Sequence, residues 1–117
     1  KKDSIPGIVL LPGATETKER EQGLAKRLAD LGYATITLDQ RNLGAIDVNA
    51  DLALFIDGRE PVEHMMVYDA LSAAEVLRSV PEIDPERIIY AGESNGARTA
   101  IIACALDERS KGVGHRG

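Results

Sequence analysis

The sequence predicts an α/β fold in which a parallel sheet carries helices on both faces, as a three-layer sandwich. Two observations lead to this prediction. Continuously apolar runs at residues 8–11 and 88–91 have the composition of strands that are buried on both faces. Segments with helical spacing separate these runs along the chain, and strands joined in this way form right-handed crossovers in a parallel sheet. For 117 residues we expect one domain, residues 1–117.

The first half of the chain predicts the order strand, helix, strand. Residues 8–11 form the first strand, and residues 16–31 form a helix that ends at Gly32, a residue well suited to the position after a helix. Leu24, Leu28 and Leu31 recur at helical spacing within this helix. Residues 33–38 have strong strand propensity, and residues 39–44 follow as a loop.

The segment at residues 45–60 has the weakest pattern. Residues 50–56 are apolar enough for a short helix or a short strand, and periodicity does not decide between the two. Gly58 and the charges around it indicate a surface excursion. We expect this segment to shape the entrance of a pocket.

The most regular helix is predicted between Pro61 and Pro81. Pro61 suits the first position of a helix, and the helix ends before Pro81 because proline cannot continue it. The apolar residues of this helix, spaced by three and four, are Met66, Ala70, Ala73, Leu77 and Val80. Residues 84–86 (Asp-Pro-Glu) predict a turn capped by the carboxylate of Asp84, which leads into a strand at residues 87–91.

That strand breaks into the pattern G-x-S-x-G at residues 92–96, and helical spacing then resumes with Ala97, Ala100, Ile101 and Cys104. At such a turn Ser94 is pushed out of the packed layers, and Gly92 and Gly96 avoid a clash between strand and helix. The helix start directs unpaired N–H groups and the positive end of the helix dipole to the same place, where they would stabilise an anionic oxygen. The alternative is a tight turn whose serine only caps the helix.

Ligands of open parallel sheets bind beyond the carboxyl ends of the strands. Residues 12–15 follow the first predicted strand, and residues 92–96 follow the third, so both loops lie at this edge. We therefore expect the N–H groups of Ala14 or Thr15 near that of Asn95, around Ser94. Residues 111–114 are predicted to begin a fourth strand.

Composition excludes several function classes. The net charge is −5 and no basic cluster is present, so nucleic acid is not expected as a partner. The longest apolar run, residues 100–106, is too short to cross a membrane, and the amino terminus has no apolar signal region. Cys104 lies on an apolar helix stripe, which favours a buried reduced thiol over a disulfide or a metal ligand and fits a cytoplasmic protein.

Four motifs, in order and with sensible spacing, resemble those of the α/β-hydrolase superfamily, most closely the dienelactone hydrolase-like esterases and peptidases. They are residues 9–14 (VLLPGA), 31–44 (LGYATITLDQRNLG), 83–88 (IDPERI) and the G-x-S-x-G turn. The resemblance implies that Ser94 is a nucleophile, that the backbone N–H groups of Ala14 and Asn95 form an oxyanion hole, and that residues 39–44 are a structural turn. It implies a serine-type carboxylic-ester hydrolase or peptidase that acts on a small-molecule ester or amide without a cofactor or metal.

The sequence departs from the family at several positions. Pro12 stands where the family often has histidine, which affects only the support of an oxyanion hole made of backbone N–H groups. The family places its acid and its histidine after the serine. Asp107 and Glu108 are expected to point away from the strand tips, so neither suits the acid. His115 resembles the glycine-flanked histidine loop of the family, but the two strands that normally come between the serine and that loop are absent. We therefore expect an unused terminal histidine, with a role as the base as the alternative. His64 is expected to face solvent.

Compared with that family, both ends of the chain look cut, and we expect the chain to be the central portion of an α/β hydrolase. A fragment, an incompletely represented chain and a reduced relative all fit. Two function classes also stay open. The chain is either a serine hydrolase or a catalytically incomplete scaffold that binds a small ligand or a partner at the same pocket.

Overall fold

Strands and helices alternate along the protein, as the sequence predicts. The computed structural model describes residues 5–11, 22–38, 41, 47–93, 95–110 and 112–116. Within these ranges the elements are β1 (Ile5–Leu11), α1 (Gln22–Asp30), β2 (Ala34–Thr37), α2 (Val48–Ile56), α3 (Val62–Arg78), β3 (Ile83–Glu93), α4 (Asn95–Leu106) and β4 (Gly112–Arg116).

The four described strands form one sheet in the order β2-β1-β3-β4, and all neighbouring pairs are parallel. From β1 the chain crosses to β2 at one edge of the sheet, and from β2 it returns past β1 to β3 and then to β4. Right-handed crossovers therefore place α1 on one face of the sheet and α3 and α4 on the other. The predicted parallel sheet with helices on both faces is confirmed.

The core lies between the sheet and the helices α3 and α4. The sheet contributes Val9, Leu11, Ile88 and Tyr90. The helices contribute mostly alanines, together with Val67 and Leu77. Small helix residues let the helix backbones approach the sheet closely, which matters most where α4 begins.

The predicted strands are present, and β3 begins earlier than expected. Ile83 pairs with Ile5 and Ile88 pairs with Gly7, so four residues of β3 lie opposite one residue of β1. The extra residues hold the predicted turn, in which an Asp84 carboxylate oxygen accepts a hydrogen bond from the Glu86 N–H at 2.9 Å. That bond holds the pKa of Asp84 below its ordinary value. The carboxylate-capped turn is therefore confirmed, as a bulge within the strand.

Two helix boundaries differ from the prediction. In the described part of the predicted helix 16–31, α1 covers Gln22–Asp30, and Gly32 follows it with a φ of +93°. Leu31, predicted as the last residue of the helix, lies in the turn after it and is 74% exposed. In α3 the first helical residue is Val62, and Pro61 is the residue that precedes the helix.

The predicted apolar stripe of α4 is wrong in part. Ala97 and Ala100 are buried as expected, but Ile101 is 46% exposed and Cys104 is only half-buried. The buried side instead continues through Ala103, together with Gly96 and Thr99. The helix turns its smallest residues to the sheet because it packs too closely for a large side chain.

The undetermined segment at residues 50–56 is helical and forms most of α2. Asp47 caps this helix, its carboxylate accepting a hydrogen bond from the Ala50 N–H at 3.0 Å. No residue of α2 is buried, so the predicted surface excursion is confirmed for the described residues 47–60.

Candidate active site

A single residue separates a central strand from the helix that follows it. β3 ends at Glu93 and α4 begins at Asn95. The strand and helix predicted on either side of the G-x-S-x-G pattern are therefore present. The predicted nucleophile Ser94 lies outside the described residues, and so does Ala14, the second predicted donor of an oxyanion hole.

Strand and helix touch at Gly92. A Cβ atom on this residue would lie 2.3 Å from the carbonyl carbon and the carbonyl oxygen of Gly96, and 2.6 Å from the nitrogen of Ala97. These are backbone atoms, which cannot move aside without moving the helix. The predicted reason for glycine at position 92, a clash of any side chain between strand and helix, is confirmed.

The amino-terminal turn of α4 is suited to negative charge. The first N–H groups of a helix have no acceptor within the helix, and that of Asn95 is the first of them here. The first turn carries no acidic residue, and its Arg98 forms an ion pair with Glu63 of α3. The helix dipole adds a partial positive charge at the same end. This end of the helix can therefore stabilise an oxygen that becomes negative during a reaction.

The strand register brings several chain segments to one edge of the sheet. Leu11, the last residue of β1, pairs with Gly92, and Gly92 also pairs with His115 of β4. The segments that leave β1 and β3 therefore start from neighbouring points. His115 lies in a strand and not in the loop that the family resemblance implies, and only its backbone is described.

The helix α2 is attached to this edge by one carboxylate. The two oxygens of Asp51 accept hydrogen bonds from the N–H groups of Val62 at 2.9 Å and Glu63 at 3.2 Å. They cap α3, whose preceding residue Pro61 has no side chain for that purpose. Glu63 in turn pairs with Arg98 of α4. The only signal of this contact in the sequence is a single carboxylate, Asp51, within the apolar residues 50–56.

A second ion pair connects Arg41, which follows β2 in the chain, to α3. The guanidinium of Arg41 donates two hydrogen bonds to the carboxylate of Asp69 on α3, at 2.7 and 3.1 Å. Such paired bonds fix orientation as well as distance. The hydrogen bond and the charge of Asp69 raise the pKa of Arg41. Arg41 is the one described residue of the predicted structural turn 39–44, and its role here is structural.

Asp107 is engaged in a buried network at the other end of α4. It accepts hydrogen bonds from the hydroxyl of Tyr90 at 2.6 Å and from the guanidinium of Arg78 at 2.8 Å. Burial alone would raise the pKa of Asp107, but the hydrogen bonds from Tyr90 and Arg78 outweigh it and hold that pKa below its ordinary value. The pKa of Tyr90 is raised, mainly by burial of its hydroxyl and next by the hydrogen bond to Asp107. The expectation that Asp107 is not an orienting acid for Ser94 agrees with this engagement.

His64 and Cys104 have ordinary surroundings. The side chain of His64 is 55% exposed, and its Nδ1 lies 2.8 Å from a carboxylate oxygen of Glu60, so the expected solvent-facing position is confirmed. The sulfur of Cys104 is free and lies 3.4 Å from the hydroxyl of Ser110. Within the described ranges, no three His, Cys, Asp or Glu side chains are grouped so as to hold a metal ion. None of the helices described there has the length and apolar character needed to cross a membrane.

Curated relatives of this chain include a protein named as a hydrolase and one named as an acyltransferase. The protein YtaP of Bacillus subtilis (strain 168), named as a hydrolase, is 31% identical over 106 residues, which are 87% of this chain and 34% of that protein. Acyltransferase DrtE of Aspergillus calidoustus is 30% identical over 107 residues, which are 91% of this chain and 32% of that protein. The chain thus spans about a third of the length of these curated relatives.

The solved structure of a dienelactone hydrolase-like promiscuous phosphotriesterase from metagenomic libraries is similar in fold. It matches with a TM-score of 0.68 and 22% identity, over 98% of this chain and 48% of that chain. The family described as acetyl xylan esterase (AXE1) matches residues 2–115, nearly the whole sequence. The chain therefore belongs to the acetyl xylan esterase family, and its fold is of the α/β-hydrolase type.

Proposed function

We propose that the protein hydrolyses a carboxylic ester, with Ser94 as the nucleophile and the N–H groups of Asn95 and Ala14 as the oxyanion hole. The observation that carries this proposal is the contact between Gly92 and Gly96. Strand and helix meet there with one residue between them, which is the setting of a nucleophile elbow. Membership of an esterase family supports ester hydrolysis as the reaction class and favours an ester over an amide.

In the proposed reaction the hydroxyl oxygen of Ser94 attacks the carbonyl carbon of the ester, and a general base takes the hydroxyl proton. The carbonyl oxygen becomes negative, and the N–H groups at the start of α4 and after β1 donate hydrogen bonds to it. The alcohol leaves with the proton, and water then attacks the acyl-serine to release the acid. His115 is the candidate base, supported by the pairing of its backbone with Gly92, two residues before Ser94.

The surroundings of this edge support an entrance formed by α2. Asp51 attaches α2 to the start of α3, and the ion pair of Glu63 with Arg98 attaches α3 to the first turn of α4. We propose that α2 forms one wall of the entrance to a small-molecule site. The free, half-buried thiol of Cys104 supports our proposal of a cytoplasmic location.

A second candidate function is that of a scaffold that binds a small ligand or a partner without turning it over. The observation that favours it is the engagement of Asp107, a carboxylate that follows Ser94 in the chain but is occupied by Tyr90 and Arg78.

The proposal is tested by hydrolysis of p-nitrophenyl acetate by the intact protein and by its Ser94→Ala variant. Loss of a covalent nucleophile should lower kcat/KM by about a thousandfold or more. Ser72→Ala is the matched control, because Ser72 is exposed on α3 and away from the turn, and it should retain the parent rate. Hydrolysis that survives Ser94→Ala within a few-fold contradicts the assignment and favours the scaffold.

A further inference from the structure

The start of α4 is held from two sides. On the side of the sheet, Gly92 lies against Gly96 with no side chain between them. On the side of α3, the Nε of Arg98 donates a hydrogen bond to a carboxylate oxygen of Glu63. Arg98 is the one charged residue in α4, Asn95–Leu106, so it is the only side chain through which this helix can form an ion pair.

The stability of α4 does not explain an arginine at position 98. A cation in the first turn of a helix lies near the positive end of the helix dipole, where it lowers the stability of the helix. An acidic or a neutral residue would serve the helix better there. Arg98 reaches across to α3 instead, and the side chain of Glu63 that accepts its hydrogen bond is only 19% exposed. The arginine is therefore suited to a contact between the two helices.

Glu63 has a fixed place at the start of α3. Its own N–H and that of Val62 donate hydrogen bonds to the carboxylate of Asp51, which caps the helix. Glu63 and Arg98 lie at one end of an open hollow of about 330 Å³ between α3 and α4. Because the two helices are not fully packed against each other beside this hollow, the ion pair sets the distance between their first turns.

Arg98 follows Asn95 by three residues, which correspond to about 4.5 Å along the helix axis. We propose that Glu63 is a positioning residue for ester hydrolysis: through Arg98 it holds the Asn95 N–H in the place where that group meets the oxyanion. This inference rests on the proposed function of Ser94 and Asn95. The oxyanion forms in both acylation and deacylation but is absent from the bound ester, so loss of this alignment lowers kcat and leaves KM nearly unchanged.

The first test is hydrolysis of p-nitrophenyl acetate by variants of the intact protein. Glu63→Ala should lower kcat by about tenfold with KM within about twofold of the parent. Glu63→Gln keeps an oxygen that accepts the hydrogen bond of Arg98, so its kcat should stay within about threefold. Glu86→Ala is the control, because Glu86 pairs at 2.8 Å with Arg109, beyond the other end of α4, and it should keep the parent kcat. Urea midpoints of these variants should be nearly equal, since exposed ion pairs contribute little to stability.

The second test is a double-mutant cycle. Arg98→Ala should lower kcat by the same factor as Glu63→Ala, and the double variant should be no slower than either single variant. Losses that multiply overturn the route through Arg98. A kcat of Glu63→Ala within twofold of the parent or above it overturns the positioning role, and so does an equal loss in Glu86→Ala.

Ser94→Ala separates this proposal from the proposed function on which it rests. If Ser94→Ala keeps the parent rate, the proposed function is wrong and the positioning role is wrong with it. If Ser94→Ala is inactive while Glu63→Ala is as active as the parent, only the positioning role is wrong. Loss of activity in both, with the kcat and KM values expected above, supports both proposals.

Discussion

Replacing Gly92 by alanine should destabilise the protein severely. The new methyl group would lie 2.3 Å from two backbone atoms of Gly96, where ordinary contacts are about an ångström longer. Overpacking of a core side chain costs about 1–3 kcal/mol, and a clash with backbone belongs at the upper end because α4 must shift as a body. We expect a loss of about 3 kcal/mol, a large share of the roughly 5–15 kcal/mol that stabilises a domain.

The assay is urea unfolding followed by circular dichroism, in which the midpoint of Gly92→Ala should fall while the slope is unchanged. Gly114→Ala is the matched control on β4. A Cβ on Gly114 would lie 3.9 Å from the Cβ of Ala91, an ordinary contact, so this variant should be neutral or slightly more stable through reduced chain entropy. If Gly92→Ala is as stable as Gly114→Ala, strand and helix do not meet at residue 92, and the hydrolase assignment loses its main structural support.

Three further results are expected. Asp107→Asn should lower the free energy of unfolding in urea by about 3 kcal/mol, because it leaves the buried guanidinium of Arg78 without its closest charge partner. Since folding lowers the pKa of Asp107, the stabilisation by this carboxylate is present above about pH 4 and is lost as the pH falls through the folded pKa. The stability of the variant should therefore fall less steeply at acid pH than that of the parent, and an equal fall in both proteins would refute this. Asp51→Ala should lower the free energy of unfolding by about 1 kcal/mol, because it removes the cap of α3. Asp57→Ala, an exposed control, should leave the free energy of unfolding unchanged, and equal urea midpoints for the two variants would exclude the cap. His64→Ala should hydrolyse p-nitrophenyl acetate within about twofold of the parent, and a loss of orders of magnitude would make His64 the base.

The sheet could be predicted from sequence because the runs at residues 8–11 and 88–91 are too apolar to lie anywhere but between two layers. The capped turn at residues 84–86 could also be predicted, since Asp84 and Pro85 favour a turn through their local chemistry. Its position as a bulge within β3 could not be predicted, because that depends on the pairing of β3 with β1.

Side-chain orientation on α4 could not be predicted correctly, because helical periodicity allows several stripes that differ by one residue. Ile101 is the largest aliphatic candidate for the core, yet the contact of Gly92 with the helix admits only small residues beside the sheet. The choice depends on the distance between helix and strand, which appears only in the fold.

The network around Asp107 also lay beyond sequence reasoning. Its members Arg78, Tyr90 and Asp107 are 12 and 17 residues apart along the chain, and no motif connects them. One signal was available. A tyrosine in a buried strand needs a partner for its hydroxyl, so Tyr90 predicts a polar group against the sheet without naming it.

The identity of the nucleophile is tested most directly by covalent labelling of the intact protein with an alkylphosphonate, followed by mass spectrometry of its peptides. A serine whose proton is taken by a base attacks the phosphorus, displaces the leaving group of the reagent and keeps the phosphonyl label, whereas a serine without such a base does not react on the same time scale. We expect one label per chain, on the peptide that contains Ser94, and none in Ser94→Ala. A label on another residue, or an unlabelled Ser94 in protein that hydrolyses esters, would contradict the assignment.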